Sequence, residues 1–166
     1  MIEVAGAPAS ISVLGGALRS HALRLVDLLD ELEAPARRAA RNGEPDPDPG
    51  AGERELLADV AAQFDRIGAL LQAFSTDVVE NTGRRRRLVV MAEREGLLID
   101  GRHVIEAPGP SRLDPQARLR SRDRLQDLLN RVTSAGARSL AGLARELDAS
   151  QVVLARAAER ACTGSP

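Results

Sequence analysis

Apolar residues recur along residues 53–95 at alternating steps of three and four positions. This spacing places them on one face of an α-helix, as the seam positions of a heptad do. We therefore predict a long helix over residues 53–95. The first six residues of this seam are candidate packing and interaction residues: Leu57, Val60, Phe64, Ile67, Leu71 and Phe74.

Two of these seam residues, Phe64 and Phe74, are the only aromatic residues in a chain that has no Trp or Tyr. The core must therefore be built from aliphatic side chains, which suits packed helices better than a sheet. If both rings are fully buried, replacing either one with Ala should cost about 3–5 kcal/mol.

A second heptad-like row runs through residues 10–42 and predicts another long helix. Pro35 lies inside this row and predicts a kink or an early break. Gly15-Gly16, near the start, indicates a close helix approach rather than a phosphate-binding loop. The row consists of Leu14, Leu18, Leu25, Leu28, Leu32 and Ala39, with His21 and Pro35 filling its gaps.

A Pro- and Gly-rich loop separates the two predicted helices. Residues 44–52 hold three Pro and two Gly, so they cannot continue a helix. A loop this short returns the chain on itself. The two helices should therefore pack antiparallel, with their two seams buried against each other.

Residues 97–107 change to a strand-like pattern around Asp100-Gly101. An Asp-Gly pair between two short β-branched runs is typical of a hairpin with a type I′ turn, whose two central residues need positive φ. We predict strands at residues 97–99 and 102–106. Because an isolated two-stranded hairpin is marginal in water, this one must pack on the helices.

Residues 115–161 predict a third helical region, which begins with Asp114 as its N-cap and Pro115 at its first position. The small residues at 133–142 indicate either a close helix crossing or a break, so one long helix and two shorter ones both stay open. The whole pattern predicts a mainly α fold: an antiparallel helical hairpin or bundle with long helices and a small β-hairpin insertion. Segments 1–96, 97–107 and 108–166 are expected to form one domain.

The formal net charge of −1 conceals an uneven distribution along the chain. Residues 1–82 hold 7 Arg and 14 acidic residues, whereas residues 83–124 hold 11 Arg and 6 acidic residues. The two segments can attract each other, within one chain or between chains. Eight arginines of the basic segment are candidates for binding an anion such as a nucleic-acid phosphate. They are Arg84, Arg85, Arg86, Arg87, Arg118, Arg120, Arg122 and Arg124.

The run Arg84–Arg87 spreads around most of the circumference of a helix, at about 100° per residue. No face of that turn can be buried without burying a guanidinium group. The sequence therefore predicts that the helix leaves the bundle there or breaks at Gly83. Because the chain is net acidic and lacks aromatic side chains that stack on bases, we favour a solvated segment over a nucleic-acid site.

The sequence contains no recognisable catalytic, cofactor-binding or metal-binding constellation. Cys162 lies near the C-terminal end without a His at helical spacing, and His103 is far in sequence from His21, which we expect at the edge of the core. There is no run of 18 apolar residues and no Sec signal pattern at the N-terminus. We therefore expect a cytoplasmic, non-enzymatic protein with no cofactor and no membrane span, and export by another route stays open.

The segments ISVLGGALRSHALRLVDLLDEL and LLADVAAQFDRIGALLQAFSTDV resemble the two helices of the Trp-x-Gly helical-hairpin proteins associated with type VII secretion in actinobacteria. The resemblance covers about half of the chain. NGEPDPDPG stands where that family has its Trp-x-Gly turn, and the chain has no Tyr for the family's C-terminal Tyr-x-x-x-Asp/Glu export signal. The resemblance implies a helical hairpin that pairs with another helical protein, not an exported substrate.

Two functions follow as predictions. The first is a non-enzymatic interaction or assembly protein, which pairs with a helical partner or with a second copy of itself and is attached to a secretion system. The alternative is a nucleic-acid-binding regulator that uses the eight arginines, whose binding would weaken steeply with salt.

Overall fold

The computed structural model describes residues 8–41, 50–109 and 114–163. In them the fold is mainly α, as predicted, with long helices and a two-stranded antiparallel β-hairpin between the second and third helices. The predicted element bounds differ from the observed ones by at most two residues. The elements are α1 (Pro8–Arg41), α2 (Ala51–Arg94), β1 (Leu97–Asp100), β2 (His103–Glu106) and α3 (Pro115–Thr163).

Helix α1 continues through Pro35 to Arg41, so the early break predicted at the proline is wrong. Ion pairs span the proline, because Arg37 contacts both Asp30 and Glu33 on the preceding turns. Such pairs support the helix on both sides of the missing backbone hydrogen bond. The predicted loop at 44–52 lies mostly outside the described residues, which resume at Gly50.

Helix α3 is one continuous helix, which decides between the two alternatives left open by its small residues. It begins as predicted, with the Ala117 amide donating to the Asp114 carboxylate at 2.9 Å. Within it, Gly136 marks a close approach to α2. A Cβ added at Gly136 would stand 2.5 Å from the side-chain nitrogen of Asn81.

The described chain forms two compact units. Unit 1 contains its residues up to Ser75 and those from Leu143 onward, and unit 2 contains Thr76–Gly142. Helices α2 and α3 each contribute to both units, so the division cuts across the three predicted segments. The expectation of a single domain stays a prediction.

In unit 1, α1 lies antiparallel to α2 along a row of small residues, which we name the small-residue ladder. The Ser75 hydroxyl donates to the Pro8 carbonyl at 2.7 Å, and seven residues further along α1 Gly15 faces Gly68. All members of the ladder are buried. They are Gly15 and Ala22 on α1 with Ala61, Gly68 and Ser75 on α2.

The centre of the ladder leaves no room for side chains. A Cβ added at Gly15 would lie 2.7 Å from the Gly68 carbonyl oxygen, and one added at Gly68 would lie 2.6 Å from the Gly15 carbonyl oxygen. The same register places Ala22 opposite Ala61, and both are buried. The Gly pair at the start of α1 is therefore a close helix approach, as predicted.

The ladder, and not the leucine row, is the face of α1 that packs on α2. Leu14, Leu28 and Leu32 are respectively 54%, 49% and 50% exposed, whereas Ala22 is 4% exposed. The expectation that the two seams bury each other is therefore wrong for α1. The glycines allow a closer approach than leucines would, and this turns the leucine row about 80–90° away from α2.

The predicted seam of α2 is half-buried throughout, from Leu57 to Phe74. On one side of it Asp65 pairs with Arg19 of α1 at 2.9 Å. On the other side Asp59 pairs with Arg160 of α3 at 2.5 Å. At about 100° per residue, the seam lies about 70° around the helix from the ladder. Because Phe64 and Phe74 are among its half-buried members, the condition for a 3–5 kcal/mol cost is not met.

The fully buried core of the described residues lies in unit 2, where the β-hairpin covers α2 and α3. Leu97 of β1, Leu125 and Leu129 of α3 are each 0% exposed. Half-buried residues, among them Met91 and Val132, pack around this cluster. Leu88, Ala92 and Val104 complete the buried cluster.

The hairpin turn differs from the predicted one by one position. Asp100 pairs with His103, so Gly101 and Arg102 are the two central turn residues. Gly101 has a φ of 56°, whereas no non-glycine residue described has positive φ. Positive φ at the first central residue alone is the signature of a type II′ turn, not type I′. A type II′ turn needs positive φ only at its first central residue. Gly101 takes it there without strain, and Arg102 keeps a negative φ.

Gln126 of α3 attaches the hairpin to the helices. Its side-chain oxygen accepts from the Val104 amide at 2.8 Å, and its nitrogen donates to the Arg102 carbonyl at 2.9 Å. The Val104 amide lies on the outer edge of β2, and the Arg102 carbonyl lies in the turn just before it. No strand of the described chain pairs with this edge. The Gln126 side chain therefore provides hydrogen-bond partners for backbone groups at the edge of the sheet that no strand pairs with.

Gly68→Ala should destabilise the protein, whereas Gly83→Ala on the same helix should stabilise it. At Gly68 the new methyl group meets backbone, so it overpacks the ladder by about 1–3 kcal/mol. At Gly83 nothing lies within 4 Å, so the better helix former should add about 0.5–1 kcal/mol. Thermal unfolding followed by circular dichroism measures both. Equal stability of the two variants would contradict the ladder.

Leu125→Ala should lower the free energy of unfolding by about 2–5 kcal/mol, because the side chain is fully buried in unit 2. Phe64→Ala should cost less, although its side chain is larger, since the ring is half-buried. Urea titrations of the two variants test this order. A larger loss for Phe64→Ala would mean that its ring is buried more deeply in solution than the structure shows.

Candidate functional site

The arginine run predicted as an anion site lies on the C-terminal half of α2, which neither breaks at Gly83 nor ends before Arg94. The predicted break is therefore wrong. Arg85 takes the seam position between Asn81 and Leu88. Its guanidinium group donates to the Gly101 carbonyl at 2.7 Å. A polar hairpin turn, rather than an apolar helix, thus contacts Arg85 at this part of the seam, where the arginine stays exposed.

Most of the other candidate arginines contact nearby carboxylates. Arg84 pairs with Glu80 on its own helix at 3.0 Å. Arg118 pairs with Glu106 at 2.8 Å. The remaining pairs within α3 and its surroundings are Arg122 with Asp123 at 3.3 Å and Arg124 with Glu95 at 2.5 Å.

Three of the eight arginines have no side-chain partner within the part of the chain that the structure describes: Arg86, Arg87 and Arg120. They do not form one patch. The contacts of Glu95 with Arg124 and of Asn81 with Gly136 set α2 against α3 so that Arg87 lies beside residues near 130. At 1.5 Å per residue, that is roughly 15 Å from Arg120 along the helix.

The strongest candidate for a functional surface is a row of residues on α1, which we name the α1 stripe. Three leucines of the stripe are about half exposed, two more are half-buried and His21 is exposed. The order of spacings along the row, four and three in alternation, is that of the core positions of paired helices. The stripe consists of Leu14, Leu18, His21, Leu25, Leu28 and Leu32.

Other large apolar residues of α1 are exposed singly. Val13 is 72% exposed and Leu23 67% exposed, but neither belongs to a regular row. Single exposed aliphatic residues are common on protein surfaces, whereas a continuous row is not. The α1 stripe therefore differs from its surroundings by its regularity.

The two sides of the α1 stripe differ in chemistry. On the side toward α2, the flanking positions are filled by buried residues of the ladder and by half-buried Leu29. On the other side, the flanking positions include Arg24 and Glu31, one heptad apart and both exposed. Neither contacts another charged side chain among the described residues. Arg19 and Arg37, by contrast, are held in ion pairs.

The remaining candidate residues do not come together. His21 is exposed on α1 and not at a core edge, while His103 and Cys162 are exposed in β2 and at the end of α3. Over the described ranges no three His, Cys, Asp or Glu side chains are grouped as a metal site would require.

The α1 stripe was predicted as a seam that is buried against α2, whereas α1 packs on α2 through the ladder. The signal that could have corrected this is the small-residue ladder. Gly15 and Ala22 are seven residues apart, as are Ala61, Gly68 and Ser75. Matching heptads of small residues on two antiparallel helices indicate a close approach through those faces.

Comparisons with known proteins found no matching family model, no matching curated protein and no matching solved structure. Across the described helices, none has a stretch apolar enough and long enough to cross a membrane.

Proposed function

We propose that this protein is a non-enzymatic helical interaction protein that docks another helix on the α1 stripe. The observation that carries the proposal is the regular row of half-exposed leucines at heptad spacing on a helix already packed through a different face. Such a helix has two packing faces. One is used within unit 1, and the other is available to a partner.

The energetics of the α1 stripe suit a reversible contact. Leu14, Leu28 and Leu32 each keep about half of their surface in water. Covering that surface is worth roughly 1 kcal/mol per leucine, at about 25 cal/mol per Å². Arg24 and Glu31, which form no ion pair among the described residues, lie beside the row and supply the polar rim that restricts the partner's orientation.

The cellular setting that we propose is a secretion system of the type VII kind, in which helical hairpins pair with one another. The resemblance of residues 11–32 and 56–78 to the Trp-x-Gly hairpin proteins motivates this setting. The identity of the chain found on the α1 stripe would test it directly.

A photo-crosslinking amino acid at position 28 should capture a partner chain in cells that express the full-length protein. The same amino acid at position 23 is the matched control, because Leu23 is also exposed but lies off the stripe. Mass spectrometry of the adducts identifies the captured chain and the crosslinked segment. We expect a helical segment crosslinked at position 28 and little at position 23. Equal yields at both positions, or none at position 28, would contradict docking on the stripe.

Nucleic-acid binding is the second candidate. The observation that favours it is that Arg86 and Arg87 are exposed and adjacent, and that neither has a side-chain partner within the described ranges. They belong to unit 2, where 13 Arg stand against 9 acidic residues, a net charge of +4 with His neutral. Two adjacent guanidinium groups on an exposed helix can contact successive phosphates.

If unit 2 binds duplex DNA, replacing both Arg86 and Arg87 with Gln should lower the slope of log affinity against log salt by about 2. Fluorescence anisotropy with a random duplex between low and moderate salt measures the slope. Gln at Arg145 and Arg156, exposed in unit 1, is the matched double control and should leave the slope unchanged. Absent or salt-insensitive binding by the unmodified protein would remove this candidate.

A further inference from the structure

We infer that the occupant of the α1 stripe is the α1 stripe of a second copy of this chain, in antiparallel orientation. This inference rests on the proposed function and names its partner. It is carried by Arg24 and Glu31, the charged residues beside the stripe. A two-fold rotation places Arg24 of each copy opposite Glu31 of the other.

The heptad positions determine how two stripes can meet. In an antiparallel pair, the two-fold axis would pass near residues 26 and 27. Leu25 then lies opposite Leu28 of the second copy, and His21 lies opposite its Leu32. Every stripe position in this central part meets an apolar side chain or the imidazole.

The same axis brings the unpaired charges together. Arg24 lies opposite Glu31 of the second copy, and Glu31 lies opposite its Arg24, so that two equivalent ion pairs form. Within one chain the two residues are seven positions apart, about 10 Å along the helix, which is too far for a direct pair. Two side chains that cannot reach each other within a chain thus gain partners in the dimer.

A parallel pair would not use these charges. In that orientation, the flank of one helix that carries Arg24 faces the other flank of the second copy, which carries Ala22 and Leu29. That flank is already covered by α2 in unit 1, as the burial of Ala22 and Gly15 shows. His21 would also meet His21 of the second copy. The charge pattern therefore selects the antiparallel arrangement.

The net charge of unit 1 argues against a partner chosen by long-range attraction. The sequence ranges 1–75 and 143–166, which contain unit 1, hold 10 Arg and 15 acidic residues, a net charge of −5 with His neutral. The acidic segments of two copies repel each other, and the short-range apolar stripe and its ion pairs hold them together. Salt screens that repulsion, so the dimer should survive high salt.

The test is sedimentation equilibrium of the full chain and of charge variants over a wide range of concentration. We expect a dimer that Leu28→Gln abolishes, while the half-exposed side chain lets the variant keep the helical circular dichroism of the parent. Arg24→Glu or Glu31→Arg alone should raise the dissociation constant about tenfold, since both ion pairs become like-charge contacts. The double variant should restore it.

Arg156→Glu is the matched control, because Arg156 is exposed in unit 1 and undergoes the same charge reversal away from the stripe. It should leave the dissociation constant within about twofold of the parent value, as expected for a distant surface charge. A dimer that Arg156→Glu weakens as much as Arg24→Glu would respond to total charge rather than to the proposed pair, which overturns the inference.

A distance between spin labels tests whether the two α1 helices of the dimer are antiparallel or parallel. With Cys162 replaced by Ser, a spin label at an introduced Ala17→Cys gives a label separation of about 30 Å in the antiparallel dimer and about 10 Å in a parallel one. The longer distance supports the inference, and the shorter distance overturns it.

Three further results would overturn the inference. They are a monomer at every concentration, a dimer unaffected by Leu28→Gln, and a double charge variant weaker than both single variants. Crosslinking at position 28 tests the proposed function separately from the inference that the partner is a second copy. A monomer whose position 28 crosslinks to a different helical chain retains docking on the stripe and removes the second copy as its occupant, whereas absence of any crosslink removes both.

Discussion

The carbonyl oxygens of Gly15 and Gly68 each stand within 3 Å of the point where the other residue would carry a Cβ, and this reciprocal contact sets how α1 lies on α2. Because no side chain larger than hydrogen fits there, the rotation of α1 about its axis is determined at that point. Ala22 and Ser75 continue the contact in both directions with small buried side chains. The leucines of α1 are consequently turned away from α2 and toward solvent.

The periodicity of the sequence was sufficient for the elements but not for the choice of face. Seven seam residues in steps of three and four determine α2 as a helix, whatever packs against it. On α1, however, the row through Leu14 and Leu28 lies next to the row through Gly15 and Ala22. Hydrophobicity favours the leucines, whereas close packing depends on shape and favours the small residues. Only the match with Ala61 and Gly68 on the other helix distinguishes the two rows.

The arginine run shows a second limit of periodicity. Arg85 occupies a seam position, and a helix-only argument requires that the seam end there. The structure instead supplies the Gly101 carbonyl from the hairpin turn, 16 residues further along the chain. A guanidinium group can be accommodated in a seam where a polar backbone group meets it. That partner depends on the position of the hairpin, which Gln126 fixes through β2. Neither contact is encoded in the spacing of apolar residues.

The two surfaces that the fold leaves open differ in whether their charges already have partners within the chain. In unit 2, five of the eight candidate arginines already contact a carboxylate or a carbonyl, and three of these contacts join different parts of the fold. On α1, Arg24 and Glu31 beside the stripe have no charged partner among the described residues. They carry opposite charges one heptad apart, so a two-fold rotation places Arg24 of each copy opposite Glu31 of the other. A different partner chain would have to present an acid and a base at that same spacing in reverse order. A second copy of α1 carries the same acid and base at the same spacing, and in antiparallel orientation their order is reversed. Self-association therefore needs no partner with a separately matched charge pattern.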